Sequence, residues 1–373
     1  MEDNHFEIGK LTENCDSLFA VFDGHGGSAV SKFCSEHFTS VMKADESFVA
    51  GNIGEALRRT YMKLDEMLKE ASNGPKKTGN HSGETLTGAH PSVAAPQVLA
   101  PPLVSTPRRS MNFALTTGCT AVVVYIDKTT VTVANTGDSR AVLCRDGMAV
   151  ELTTDHKVTL RSEIDRITAA GGVILNGRVN GSLNLTRAIG DLAFKNDLSL
   201  APEKQVITAN PDITKIDLDP NTDDFIVIAC DGLWEVMTSQ EVIEYVSHGL
   251  HAIRGTPASP SASVTSILPS CLSDLIGRML DIVCSDDVGK TEGLGGDNLS
   301  CIIVDLRPNK TLSNLDIVSR CDNVDPFVVQ PESYKAFEFR TGSSEGADFT
   351  DGDWECRIEK LDDSNFEHSS ASP

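Results

Sequence analysis

The chain has 373 residues, 40% of them hydrophobic, and a formal charge of −22, so it can bury a sizeable core as one large or two ordinary globular domains. An acidic excess of this size argues against a surface for nucleic acid or anionic membrane, which requires clustered Lys and Arg. No window approaches the roughly 20 apolar residues of a membrane span.

In chain order, the start Met1-Glu2-Asp3-Asn4-His5 lacks the basic and apolar segments of a secretory signal, and Glu2 stands where myristoylation requires a glycine. The apolar run Leu18-Phe19-Ala20-Val21-Phe22 ends abruptly in Asp23-Gly24-His25-Gly26-Gly27. Continuous apolar runs of that length read as strands buried on both faces. Val30, Phe33, Phe38, Val41 and Met42 then recur near a helical period, with Ser28 as the expected cap. A second amphipathic helix is predicted over about 53–71, placing Leu57, Tyr61, Leu64 and Leu68 on one face.

Periodicity vanishes over about 72–117, which reads as a flexible insertion rich in Pro, Gly, Ser and Ala. Arg108-Arg109-Ser110 within it has the form of a kinase site but is read as a solvated charge pair. Strands are predicted at 120–126, 130–136 and 141–145, separated by turn residues such as Asp127-Lys128 and Asp146-Gly147. A helix over 161–170 stops at Gly171-Gly172, and 176–195 reads as a loop over a site. Phe225-Ile226-Val227-Ile228-Ala229-Cys230 repeats the opening theme, an apolar strand ending in Asp231-Gly232. Thr238-Ser239-Gln240-Glu241 is a capping box opening a helix. A second insertion covers about 255–269, a further helix carries Leu272, Leu275, Ile276, Met279, Leu280 and Val283, and a strand at 299–306 closes the folded part. Residues 319–373, with thirteen acidic residues against five basic, read as a disordered acidic tail in which Trp354 and Phe366 offer a docking motif. Ten scattered cysteines without a C-x-x-C pair indicate a reducing setting, cytoplasmic or nuclear, in which the N-glycosylation sequons are chance matches.

Four aspartates stand at strand ends: Asp23, Asp138 in Gly137-Asp138-Ser139-Arg140, Asp231, and Asp297 in Gly296-Asp297-Asn298. A single Asp-Gly after a strand is only a turn signal. Four carboxylates converging on one edge repel one another unless a cation intervenes, and a hard divalent ion with oxygen ligands is the natural solution. Such ions serve phosphoryl chemistry, with His25 placed to protonate a leaving group.

These motifs, with Gly118-Cys119-Thr120-Ala121, Asp155-His156-Lys157 and Thr186-Arg187-Ala188-Ile189-Gly190-Asp191, occur in the order of the metal-dependent protein phosphatases of type 2C, which the chain resembles. Ala201-Pro202-Glu203-Lys204-Gln205 is most like plant and protist members. The resemblance implies an α+β fold over residues 1–310, a four-layer αββα sandwich of two mostly antiparallel sheets flanked by helices. It implies a pair of Mn²⁺ or Mg²⁺ ions bridged by Asp23, with the Gly24 carbonyl, Asp231 and Asp297 as further ligands, Glu2 acting through a water, and Asp138 holding a third, weaker ion. A metal-activated water would then hydrolyse phosphoserine or phosphothreonine in phosphoprotein substrates, His25 would serve as the acid, and Arg187 would border the substrate in the flap. The family also carries a phosphate-gripping arginine just before its Met-Glu-Asp motif. Because the given sequence starts at Met1, a second expectation is a catalytically weak phosphatase-like binding module that docks partners through the insertions or tail.

Overall fold

The computed structural model describes residues 1–73, 112–255, 271–291, 293–306 and 316–319. The first insertion between 73 and 112, Arg108-Arg109-Ser110, most of the 255–269 insertion and the acidic tail beyond 319 lie outside the described residues.

The strands are β1 (Asn4–Ile8), β2 (Ser17–Phe22), β3 (Gly24–His25), β4 (Gly118–Cys119), β5 (Ala121–Ile126), β6 (Thr130–Thr136), β7 (Arg140–Arg145) and β8 (Met148–Glu151). They continue with β9 (Ile174–Leu175), β10 (Arg178–Val179), β11 (Ile189–Gly190), β12 (Asp212–Asp217), β13 (Asp223–Ala229), β14 (Cys301–Asp305) and β15 (Asp316–Ser319). The helices are α1 (Ala29–Ala44), α2 (Glu46–Val49), α3 (Ile53–Asn73), α4 (Arg161–Ala169), α5 (Asp231–Trp234), α6 (Ser239–Gly255) and α7 (Leu272–Val283).

Two five-stranded antiparallel sheets, ordered β1-β2-β5-β6-β12 and β15-β14-β13-β7-β8, face each other. Strand alternation divides the burial, because successive side chains point to opposite faces. Phe19 and Val21 of β2 meet Ile226 and Ile228 of β13 between the sheets, while Leu18, Ala20 and Phe22 turn to the helices. On that outer side α1 presents Val30, Cys34, Phe38 and Met42, and α3 presents Leu57, Tyr61, Leu64 and Leu68. Phe38 meets Tyr61 edge-on at 5.5 Å, and the Tyr61 hydroxyl donates to the Ala121 and Ala134 carbonyls, fastening α3 across β5 and β6. The other sheet is covered by α6 and α7 through Val242, Ile243, Val246, Leu275, Ile276 and Met279. The expected αββα sandwich is therefore present.

Some local details differ from expectation. Ser28 does not cap α1 with its side chain: its backbone is already helical (φ −76°, ψ 0°) rather than extended, and its carbonyl instead accepts from the Lys32 amide. The capping box is formed as expected, with Thr238 N donating to Glu241 Oε2 at 2.8 Å and Glu241 N donating to Thr238 Oγ1 at 3.3 Å. Asp146-Gly147 is a two-residue turn with φ of 52° and 76°, and the strand beyond it, β8, was not foreseen from its sequence. Backbone pairing of β15 with β14 extends the second sheet past the expected closing strand.

Phe38 sits at the centre of the outer cluster against Phe6, Phe22 and Tyr61. Phe38→Ala is expected to lower unfolding free energy by about 3–5 kcal/mol in urea titrations. A loss below about 1 kcal/mol would show that the cluster is not the core of this layer.

Candidate active site

Every carboxylate of interest reaches one edge because of strand direction. Asp23 follows β2, and Asp138 lies in the turn from β6 to β7. Asp231 follows β13, which pairs antiparallel with β14, so Asp297 ahead of β14 returns to the same edge. Tight backbone approaches hold the edge together. The Thr120 amide donates to the Asp23 carbonyl at 2.8 Å, and the Cys230 amide donates to the Ser300 carbonyl at 3.1 Å. A Cβ on Gly24 would overlap the Glu2 carbonyl, and one on Gly232 would overlap the Asn298 carbonyl, so only glycine permits these contacts. The Glu2 amide in turn donates to Asn298 Oδ1 at 2.6 Å, tying the chain start to the loop that carries Asp297.

The electrostatics are those of crowded, partly desolvated acids. Burial first, then the negative charges of Asp3, Asp231 and Asp138, pushes the Asp23 acid well above the usual carboxylate range, and Asp23 is within hydrogen-bonding reach of Asp231. Asp231 is raised by burial and by Asp138, Glu235 and Asp297. Burial also raises Asp138, against the opposing charge of Lys157, whose Nζ stands 3.6 Å from Asp138 Oδ2. Asp3 is raised by burial although it accepts from Ser300 Oγ at 2.7 Å. Asp297 acts by charge from a more exposed position on the rim.

Two buried carboxylate oxygens, Asp3 Oδ1 and Asp138 Oδ2, have no hydrogen-bond partner. Asp3 Oδ1 without a partner, Asp138 Oδ2 with only the Lys157 ion pair, and the mutually repelling acids around them make a donor set that fits a hard divalent cation. Among the described residues no three His, Cys, Asp or Glu side chains stand in a ready-made metal cage. The fit is therefore in the donor set and its charge.

His25 does not lie free. Its Nε2 is 2.6 Å from Oδ2 of Asp191, which is 1% exposed and has a left-handed backbone (φ 48°). A small antiparallel sheet, β11-β4-β3, builds this pair, with Gly118 of β4 set between His25 and Gly190. A Cβ at Gly118 would overlap both Asp191 Oδ2 and His25 Nε2, so glycine leaves the space in which the bond forms. Arg187 is placed elsewhere. Its guanidinium donates to Glu163, to Asp212 Oδ1 at 2.7 Å and to the Asn210 carbonyl at 3.0 Å, at 12% exposure. Arg166 grips the same Glu163.

Four residues of the site carried no role in the sequence reading. Asp3, Lys157 and Asp191 lie inside recognised motifs, but nothing local marks their contacts. Glu235 has no sequence signal beyond following Trp234.

A family model described as protein phosphatase 2C matches residues 1–90 and 99–267. A rice (Oryza sativa) protein named "Probable protein phosphatase 2C 11" is 37% identical over 324 residues, covering 82% of this chain and 82% of that protein. "Protein phosphatase 2C homolog 2" of Schizosaccharomyces pombe is 39% identical over 310 residues, covering 82% of this chain and 69% of that protein. A solved phosphatase structure from Toxoplasma gondii aligns with TM-score 0.59 at 21% identity, over 86% of this chain and 92% of that one, which supports the fold.

Burial would push the Glu163 acid up, but the Arg187 hydrogen bonds and the charges of Arg166 and Arg187 outweigh it and hold the acid at about 2. A depressed folded value gives stability that is complete above about pH 4.3 and is lost as pH falls towards about 2. Unfolding measured from pH 5 to pH 2 is expected to show a shallower slope in Glu163→Gln than in wild type. Equal slopes would contradict the network.

Proposed function

The chain belongs to the protein phosphatase 2C family and is a protein phosphatase, and from that premise we propose that it hydrolyses phosphoserine and phosphothreonine esters of proteins with Mn²⁺ or Mg²⁺ at the carboxylate edge. The observation that carries this reading is the set of buried, unneutralised acids with the His25–Asp191 pair beside it. Asp23, Asp231 and Asp297, with the Gly24 carbonyl, would hold two ions, Glu2 would act through a water, and Asp138 would serve a third. When bound, such ions supply an activated water for attack on phosphorus and offset charge on the phosphoryl oxygens.

The chain's own groups supply the rest. Asp191 holds the His25 ring through Nε2, and among the described residues Nδ1 has no hydrogen-bond partner. Nδ1 is accordingly the atom from which His25 gives a proton to the seryl or threonyl oxygen as the P–O bond breaks, leaving a neutral hydroxyl and inorganic phosphate. Lys157, beside Asp138, adds a positive charge at the edge where a phosphate dianion arrives. Arg187, spent on Glu163 and Asp212, shapes the neighbouring wall rather than gripping phosphate.

With added Mn²⁺ the full chain is expected to hydrolyse a phosphothreonine peptide, and Asp231→Asn is expected to lose the metal-dependent turnover. His25→Ala is expected to lower kcat about 10²-fold or more. Turnover that is the same with and without divalent metal would contradict the reading. Metal-stabilised peptide binding without turnover would select the binding-module alternative.

A further inference from the structure

The His25–Asp191 pair is itself anchored from behind by a second buried ion pair that the hydrolytic mechanism does not use. Lys195 is 4% exposed and Asp65, on α3, is 13% exposed, with Nζ and Oδ1 2.6 Å apart. The same Asp65 Oδ1 accepts from the Gly190 amide at 2.9 Å, and Lys195 Nζ also donates to the Ala188 carbonyl at 2.7 Å. These bonds close on the residues either side of Ile189 and directly before Asp191. Gly190 and Asp191 are both left-handed (φ 87° and 48°), a conformation that a non-glycine residue holds only when its surroundings impose it. The Asp191 amide donates to the Thr117 carbonyl at 3.0 Å, fixing the turn from the other side.

A buried lysine–carboxylate pair is an expensive way to gain stability, since apolar side chains of similar volume do as well or better. Its use here is explained by placement: Asp65 Oδ1 holds the Gly190 amide directly before Asp191, and Lys195, four residues after Asp191, holds the Ala188 carbonyl three residues before it. We propose that Asp65 and Lys195 are positioning residues for the phosphatase reaction: they set the 188–191 turn so that Asp191 orients His25 towards the leaving oxygen. The proposal rests on the phosphatase reading above. It makes α3, which bears no carboxylate of the cluster, a determinant of proton delivery.

The test uses the full chain and two esters. A phosphothreonine peptide needs a proton on its departing oxygen, whereas p-nitrophenyl phosphate releases a stable anion that needs none. In Asp65→Leu/Lys195→Met both charges are replaced by apolar groups, which leaves no unpaired charge in the interior. The ratio of peptide to aryl-ester kcat is expected to fall roughly tenfold in this variant and about 10²-fold in Asp191→Asn, with the peptide KM unchanged. Combined with Asp191→Asn, the double replacement is expected to add nothing further, because the residues act through one bond. An equal fall for both esters, no fall, or multiplying effects would overturn the proposal. If the double replacement fails to fold, Asp65→Asn carries the same expectation.

If wild type turns over neither ester, the phosphatase reading fails, and the anchor is then judged on metal-free protein by NMR. The His25 Nε2 proton is expected to exchange slowly in wild type and quickly in Asp65→Asn. Equal exchange would overturn the proposal.

Discussion

The structure depends on holding several like charges together at the edge of a hydrophobic sandwich. Asp3, Asp23, Asp138 and Asp231 are drawn out of water by the strands that end there, and each acid is raised by burial before any neighbour is counted. A cluster of this kind is unstable on its own terms. Lys157 offsets Asp138 in part, and the remaining imbalance is what the proposed hard cation would relieve.

The surrounding architecture keeps the cluster from dispersing. Antiparallel sheets deliver β2, β13 and the β6–β7 turn to one edge, with β14 returning Asp297 beside them. Glycines 24 and 232 let the backbones of the chain start and of the Asn298 loop close over the carboxylate-bearing turns. His156 reinforces the third corner from within the core. It is fully buried, its Nδ1 accepts from the Gly137 amide ahead of Asp138, and its Nε2 pairs with Asp212. The His25–Asp191 pair is built on the small sheet β11-β4-β3, and of the cation ligands proposed above only the Gly24 carbonyl shares that sheet.

Much of this was legible in the sequence because the relevant signals are local. Runs such as 18–22 and 225–230 are apolar throughout, as doubly covered strands must be, and each is followed by Asp-Gly, so the strand and its carboxylate are read together. Helices α1, α3 and α7 declare themselves by period. The contacts that complete the site are not local. Asp191 lies 166 residues from His25 and Lys195 lies 130 from Asp65, and no spacing encodes such pairs. Their role depends on a left-handed turn at a non-glycine residue, which tertiary packing imposes. Arg187 is marked by its motif, and three-dimensional placement adds that Glu163 on α4 and Asp212 hold its guanidinium. Family resemblance supplied roles for motif residues, and only three-dimensional placement separates those at the cluster from those behind it.

The most direct measurement is thermal unfolding of the full chain during a Mn²⁺ titration, beside Asp23→Asn. An ion bound only by the folded state adds about 2.7 kcal/mol at a hundred times its Kd. For a domain of this size that raises Tm by roughly 5–10 °C. Wild type is expected to show that rise. Asp23→Asn, relieved of one buried charge, is expected to melt higher than wild type without metal and to gain little from it. A wild-type midpoint indifferent to Mn²⁺, or an undiminished rise in Asp23→Asn, would contradict a fold organised around unneutralised carboxylates.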